Sequence, residues 1–159
     1  MIELSIANME CLTKTPPSPK NTSNKYNFPF DLTGCFLAGG ALTSHYTGKT
    51  TNDFDIYPKT KKDRDSIVET LFDEYHNYHA SDRALTFVKD GETPIQVMIF
   101  DVFQSAQSIF DYFDFTVNMA AYDFDTDETI MDENFLVHNS QRYLHINPNT
   151  KYPYATVCA

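Results

Sequence analysis

The chain is short of positive charge and of cysteine. It carries 12 Lys and Arg against 22 Asp and Glu, a net charge of −10, which argues against strong, non-specific binding of nucleic acid. The three cysteines, Cys11, Cys35 and Cys158, are an odd number far apart. They indicate neither a disulfide framework nor a zinc site. We therefore expect a reducing, cytoplasmic environment.

Long apolar runs are also missing, and this bounds the domain organisation. No stretch of about 18 apolar residues exists, so we expect no membrane span. Residues 1–12 contain two glutamates and no basic residue, which does not fit a signal peptide. The remaining composition is globular. We predict an N-terminal segment over residues 1–27, with a Pro/Ser/Asn-rich flexible loop, and one domain over residues 28–159.

The first informative stretch combines an apolar run with a pair of glycines. Cys35–Ala38 is short, apolar and bounded by glycine, which predicts a buried strand. Gly39 and Gly40 permit a sharp turn and a close approach of a ligand to the backbone. Residues 41–46 can start a helix, and backbone amides at a helix start favour phosphate. Alone, this pattern is more typical of a strand–helix corner that binds no ligand.

Two aspartates follow in the next apolar strand. Asp53 and Asp55 are two positions apart, so their side chains share one face of a strand while Phe54 and Ile56 face the core. Neighbouring carboxylates repel each other unless a cation lies between them. Mg²⁺ is commonly held by one or two carboxylates together with substrate phosphates. The pair thus predicts a metal site near the surface, the alternative being an exposed acidic strand end.

A single cluster of basic residues follows this strand. It consists of Lys59, Lys61, Lys62 and Arg64. Two interpretations stay open, contact with phosphate or the solvated start of a helix, and the second is the more common use of such a cluster.

Periodicity predicts the remaining elements. Residues 89–92 contain Asp-Gly between two apolar runs, a hairpin signal. We expect Phe28 and Phe30 to pack on the edge of the domain and Asp114 to cap a helical turn. The predicted helices cover 63–78, 105–113, 115–121 and 134–141, the predicted strands cover 84–88, 95–103, 129–131 and 143–146, and the tail from Asn147 is expected to be extended.

Two motifs in this order carry a family resemblance. Gly39-Gly40 followed by Asp53-x-Asp55 resembles the nucleotidyltransferase superfamily of DNA polymerase beta. Residues 113–123, FDFTVNMAAYD, resemble the signature Arg-Arg-Asp-Phe-Thr-x-Asn-Ala in the head domain of class II CCA-adding enzymes and bacterial poly(A) polymerases. The resemblance spans about residues 36–146. It implies an α+β fold, a mixed sheet with helices packed on it.

The resemblance also implies an activity and a set of site residues. Asp53 and Asp55 match the catalytic pair that holds Mg²⁺ or Mn²⁺ while a nucleoside monophosphate moves from an NTP to an acceptor hydroxyl on RNA, protein or a small molecule. Further matches imply nucleotide binding. They are Gly39, Gly40, Thr43, Ser44, Asp114, Asn118 and Arg142.

The chain departs from the family at three places. Thr43 and Ser44 stand where an arginine is usual, and residues 112–113 are Tyr-Phe where the family has two arginines. Gln96 occupies the expected position of a third carboxylate and brings no charge to a metal. These departures leave a second reading open, a catalytically degenerate fold that binds nucleotide or another protein in a viral or mobile-element setting. A basic partner or a C-terminal domain would then supply the missing charge.

Overall fold

A computed structural model describes residues 28–150 and the backbone of Ile2–Glu3. In this part of the chain, eight strands form one sheet. The strands are β1 (Ile2–Glu3), β2 (Cys35–Ala38), β3 (Phe54–Pro58), β4 (Asn77–Ala80), β5 (Ala84–Val88), β6 (Ile95–Met98), β7 (Ala120–Asp123) and β8 (Glu128–Met131). The helices are α1 (Gly40–Thr47), α2 (Lys61–Glu74), α3 (Ala106–Phe110) and α4 (Phe135–Gln141), with a 3₁₀ turn at Thr116–Asn118. No helix of this part is long and apolar enough to cross a bilayer.

The strand order is β1-β8-β7-β2-β3-β6-β5-β4. Every neighbouring pair is antiparallel except β3 and β6, which run parallel. The long connection from β3 to β6 contains α2 and the β4–β5 hairpin, as a parallel pair requires. The sheet is therefore mixed, which confirms the predicted α+β class.

Alternating side chains on the sheet build two apolar layers. On one face, Leu37 and Ile56 belong to a core that includes residues of α1, α2 and α4. On the other face, Phe36 and Tyr57 belong to a core with α3. Asp55 lies between Phe54 and Ile56, so its side chain faces the α3 layer. The first layer also contains Phe28 and Phe30, which confirms that this segment packs on the domain.

The predicted helix over residues 63–78 is too long at its C-terminal end. α2 ends at Glu74, and Tyr75 already has extended backbone angles. β4 then pairs with β5 at the exposed edge of the sheet, with Tyr78 opposite Phe87. Tyr75 and Tyr78 both contact the Phe87 ring. Their spacing fits a helix, but the pairing of all four residues of β4 with β5 favours the hairpin.

The strand predicted over residues 95–103 is likewise shorter in the structure. β6 ends at Met98, whereas the Ile99 amide still donates to Arg83. The hairpin predicted at residues 89–92 is confirmed, because β5 and β6 are antiparallel neighbours.

The prediction for residues 115–121 is wrong over most of its length. A short 3₁₀ turn ends at Asn118, and β7 begins at Ala120 between β2 and β8. Asp114 does not cap this turn. The strand predicted at residues 143–146 reduces to one bridge between Phe115 and Ile146.

Several shorter elements agree with the sequence. Ser105 caps α3 through the Ser108 amide, and β8 and α4 lie within or beside their predicted ranges. Asn147 starts a turn with Thr150 rather than an extended tail. The predicted flexible loop, most of the N-terminal segment and residues 151–159 lie outside the described residues.

Lys59 links the end of β3 to the end of β7. Its ammonium lies 2.7 Å from Asp123 Oδ1 and 2.7 Å from Asp125 Oδ2, and 4.7 Å from the centre of the Phe36 ring. Partial burial lowers the pKa of Lys59, but the hydrogen bonds and charges of the two aspartates outweigh it and raise that pKa overall. Lys59 is thus engaged in ion pairs, while Lys61 lies exposed at the start of α2.

Lys59→Met is expected to lower the free energy of unfolding by about 2–3 kcal/mol, because it leaves the Asp123 carboxylate nearly buried without its cation. Asp123 is 10% exposed at its side chain. Urea unfolding at neutral pH measures the change, with Lys61→Met as the matched surface control that should stay within about 0.5 kcal/mol. Equal midpoints for the two variants would show that the bridge contributes nothing.

Candidate functional site

The two aspartates lie side by side at the start of β3. Asp53 precedes the strand and Asp55 is its second residue. Burial, and then the charge of Asp53, raise the pKa of Asp55 to about 7. Asp55 Oδ1 is buried and has no hydrogen-bond partner within the described residues. The pair is therefore less exposed than we expected, and no hydrogen bond from the described residues compensates the charge at Asp55 Oδ1.

Gln96 lies beside Asp55 in the sheet. β3 and β6 pair in parallel with Asp55 opposite Gln96, and Gln96 Nε2 donates to Thr86 Oγ1 at 3.1 Å. Asp101 lies beyond the end of β6, and its carboxylate accepts from the Tyr112 hydroxyl at 3.0 Å. The position next to Asp55 is thus neutral, and Asp101 does not replace it.

The donor set fits a metal held by two carboxylates. Among the residues that the structure describes, no three His, Cys, Asp or Glu side chains group as metal ligands. Mg²⁺ sites in proteins that handle nucleotides commonly use one or two carboxylates and leave the other positions to water and phosphate. The unpartnered oxygen of Asp55 beside Asp53 suits that arrangement. It does not suit a closed cage made only of protein groups.

The glycine turn approaches the same carboxylate. Gly39 has φ 80° and ψ −138°, and provides no side-chain cap for α1. A Cβ atom on Gly39 would lie 3.5 Å from Asp55 Oδ2 and 3.7 Å from the Phe113 ring. A Cβ atom on Gly40 would meet nothing within 4 Å. The start of α1 therefore presents open backbone beside Asp55, a suitable surface for phosphate.

A groove of about 700 Å³ runs along α1, the 3₁₀ turn and α4. The predicted residues Thr43, Ser44 and Arg142 line it. Thr43 also donates from Oγ1 to the Val117 carbonyl at 2.8 Å, which ties α1 to the 3₁₀ turn. No described acidic side chain lines the groove. In a chain of net charge −10, this is a surface on which an anion meets no nearby repulsion.

Two predicted nucleotide-binding residues lie elsewhere. Asp114 is exposed, and its Oδ1 accepts from Thr150 Oγ1 at 2.7 Å. Asn118 is half-buried at the end of the 3₁₀ turn. Neither residue is among the described residues that line the groove. Their predicted contact with nucleotide stays a prediction.

Three basic side chains that no sequence motif pointed to lie near these features. Lys49 and His138 line the groove, and Arg83 lies over the Phe100 ring at 4.2 Å on the Asp55 side of the sheet. Lys49 was visible only as part of Gly48-Lys49-Thr50, which is not a phosphate-binding motif by itself. No local signal marked His138 or Arg83, since strand and helix packing brings them to the site.

Several solved structures with a similar fold are CCA-adding enzymes. The Bacillus stearothermophilus CCA-adding enzyme in complex with CTP matches 78% of this chain and 32% of its own, with a TM-score of 0.54 and 16% identity. The Thermotoga maritima CCA-adding enzyme complexed with tRNA matches 76% of this chain and 30% of its own, with a TM-score of 0.58 and 13% identity. At this identity the likeness concerns the fold, and it confirms the predicted nucleotidyltransferase-like architecture.

Sequence comparison gives a different and more specific family. The profile described as "Gabija anti-defense 2 family protein" matches residues 7–142. "Gabija anti-defense 2" of Bacillus phage SPbetaL7 is 41% identical over 119 residues, which cover 74% of this chain and 29% of that protein. The chain thus matches less than a third of that relative's length. With most of its residues inside the profile, this chain belongs to the Gabija anti-defense 2 family.

Proposed function

We propose that this chain is a metal-dependent nucleotidyltransferase that moves a nucleoside monophosphate from an NTP to an acceptor hydroxyl. The observation that carries the proposal is Asp55. It has a buried carboxylate oxygen without a hydrogen-bond partner in the described residues, beside Asp53 and close to the open backbone at Gly39 and Gly40. A carboxylate in that position costs stability unless it binds a cation.

Three groups of residues would hold the metal, the triphosphate and the rest of the nucleotide. Asp53 and Asp55 would hold Mg²⁺ or Mn²⁺, which when bound offsets phosphate charge and activates the acceptor hydroxyl. Gly39 and Gly40 admit the triphosphate to the backbone and to the N-terminus of α1. The groove lined by Thr43, Ser44, Lys49 and Arg142 would orient the rest of the nucleotide through hydroxyl and cationic donors.

The family and the fold support a role in counter-defence. The phage relative is named for action against Gabija, and structures with the same fold are described with CTP, ATP or tRNA. Carried over to this chain, these descriptions propose a phage protein that acts in the bacterial cytoplasm by modifying a component of the defence. The match covers 29% of the phage relative, so the activity of that whole protein is carried over here only as a proposal.

Gln96 favours a second candidate, a nucleotide-binding module without catalysis. It places a neutral amide beside Asp55, where a carboxylate would add charge for a second metal. Gln96→Glu tests whether this side chain faces the metals. If the side chain faces the metals, the variant should transfer nucleotide at least as fast as the unmodified chain. If Gln96 is a structural residue bonded to Thr86, the variant should lose both stability and activity.

Nucleotide transfer is the decisive measurement. The chain is incubated with each α-labelled NTP, with Mg²⁺ or Mn²⁺, and with total RNA or a host protein extract. Label is expected on a macromolecule, and Asp53→Asn combined with Asp55→Asn should reduce it at least about 1000-fold. No label from a folded chain that Mg²⁺ and NTP still stabilise against heat would select the non-catalytic module. No stabilisation by any NTP would contradict nucleotide binding and favour a degenerate fold that binds another protein.

A further inference from the structure

A second cavity, of about 300 Å³, lies on the α3 face of the sheet. Its walls combine four aromatic rings, one cation and one amide, contributed by Tyr57, Phe100, Tyr112, Phe113, Arg83 and Gln96. At residues 112–113, an aromatic pair stands where the family resemblance implies two arginines. The structure shows that this replacement builds a wall of the cavity.

The cavity is adjacent to Asp55. Gln96, one of its lining residues, is the direct neighbour of Asp55 across β3 and β6. Phe113 is another lining residue. Its ring lies 3.7 Å, and Asp55 Oδ2 lies 3.5 Å, from the position that a Cβ atom on Gly39 would occupy. A group that enters the cavity therefore comes next to the carboxylate that we place at the reacting phosphate.

The walls favour a planar aromatic guest. Phe100 and Tyr112 meet edge to face with centroids 5.0 Å apart, and the Arg83 guanidinium lies over Phe100 at 4.2 Å. Aromatic rings add to such clusters through edge-to-face and cation–π contacts, beyond the area that they bury. The volume is at the lower end for ligand sites and suits one substituted ring better than a nucleotide.

Charge around the cavity disfavours a nucleic acid. Arg83 is the cation among the described lining residues and makes no side-chain ion pair within the described part of the chain. Asp101 and Asp111 lie with Tyr112 in the neighbouring depression, where they would repel the phosphates of a polynucleotide. The Arg83 guanidinium in the cavity wall would also stabilise the phenolate of a guest ring.

We infer that this cavity receives the side chain of a tyrosine on a partner protein, and that this tyrosine is the acceptor. The inference rests on the proposed nucleotidyl transfer. In the step, the phenolic oxygen bonds to the α-phosphorus of the NTP, the bond from that phosphorus to the bridging oxygen of the β-phosphate breaks, and pyrophosphate leaves. The phenolic proton passes to solvent. The product is a protein with a nucleotidyl-tyrosine.

Binding is tested first, without nucleotide or metal. Met98 lines the cavity, whereas Met131 belongs to the core on the opposite face, so their ¹³C-labelled methyl resonances serve as probe and control. N-acetyl-tyrosinamide at millimolar concentration is expected to shift the Met98 resonance and not that of Met131. N-acetyl-serinamide should shift neither. A Met98 resonance that ignores the tyrosine compound, or responds more strongly to AMP, overturns the inference.

Transfer is tested next with α-labelled NTP and Mg²⁺. Peptides with one Tyr, Phe or Ser and an RNA with a free 3′ end are offered in parallel. Label on the Tyr peptide alone is expected, and mass spectrometry should place the nucleotidyl group on the phenolic oxygen. Arg83→Gln should lower this transfer about tenfold and move its pH profile upward, with Mg²⁺-NTP stabilisation unchanged. The matched control is Lys61→Gln, which removes an exposed cation at the start of α2 and should leave transfer unchanged. Arg142 is not a suitable control, because it lines the groove that we propose for the nucleotide.

The outcomes distinguish failure of the tyrosine acceptor from failure of the proposed nucleotidyl transfer. Transfer to RNA or to the Ser peptide as readily as to the Tyr peptide keeps the nucleotidyltransferase and overturns the tyrosine acceptor. A Met98 shift with label on another acceptor but none on tyrosine gives the same result. Loss of NTP stabilisation and of all transfer overturns the proposed function itself. The Met98 titration contains no nucleotide, so it tests tyrosine binding in the cavity separately from that function.

Discussion

Asp55→Asn is expected to abolish nucleotide transfer and, at the same time, to stabilise the metal-free protein above pH 7. Transfer should fall at least about 1000-fold, because the variant removes a charged metal ligand. Stability should rise because Asp55 Oδ1 is buried without a hydrogen-bond partner in the described residues. The asparagine keeps the shape of the side chain and removes its charge, so the repulsion with Asp53 is lost.

The pH dependence gives the sign of the stability change. Burial, and then Asp53, raise the pKa of Asp55 from 3.8 to about 7. Between these values the folded chain keeps a proton that the unfolded chain has lost, so the free energy of unfolding falls as pH rises through this window. Above pH 7 the ionised carboxylate costs on the order of 2–4 kcal/mol. Below pH 4 the unmodified chain and the variant should differ little.

Thermal unfolding measures this prediction across pH 4–8. The unmodified chain should lose stability toward pH 8 relative to Asp55→Asn, and Mg²⁺ with NTP should restore it only in the unmodified chain. Asp90→Asn, in the exposed hairpin loop between β5 and β6, is the matched control and should follow the unmodified chain. If Asp55→Asn destabilises the protein at pH 8, the carboxylate has a partner that the described residues do not include.

Local sequence signals predicted the strands, the turn and the hairpin around the candidate site. Cys35–Ala38, the glycine turn and the aspartate strand each follow from a short pattern, and the Asp-Gly loop fixed the β5–β6 hairpin. Neighbouring residues determine these elements, so the structure agrees with them. The presence of the Asp53–Asp55 pair could be predicted, but its burial could not. Burial depends on Gly39 and Phe113, which other elements bring alongside.

The errors arise where pairing between distant strands decides the structure. β7 has the sequence Ala-Ala-Tyr-Asp, which suits a helix as well as a strand, and pairing with β2 and β8 selects the strand. β4 is fully exposed, so it lacks the alternation that marks a half-buried strand. The sequence around Lys59 is typical of the solvated start of a helix. Its ion-pair partners, Asp123 and Asp125, lie 64 and 66 positions further along the chain.

Substitution of Gly39 is expected to lower stability, whereas substitution of Gly40 is expected to lower transfer activity. Gly39→Ala should lower the free energy of unfolding by roughly 1–3 kcal/mol, because alanine is strained at its φ of 80° and ψ of −138°. Gly40→Val should change stability by less than about 1 kcal/mol, since a Cβ atom there meets nothing within 4 Å. Its transfer activity should nevertheless fall about 100-fold, because the branched side chain occupies the space that the triphosphate needs against the backbone.

Urea unfolding and the rate of labelled-NTP transfer separate the two roles. Gly40→Ala, with one methyl group, should lie between glycine and valine in transfer rate while its unfolding midpoint stays unchanged. A graded loss of transfer at constant stability identifies the open surface at Gly40 as the place of the triphosphate. If Gly40→Val transfers nucleotide at the rate of the unmodified chain, the phosphates do not lie on this backbone. The turn would then serve only to bring Asp55 and Phe113 together.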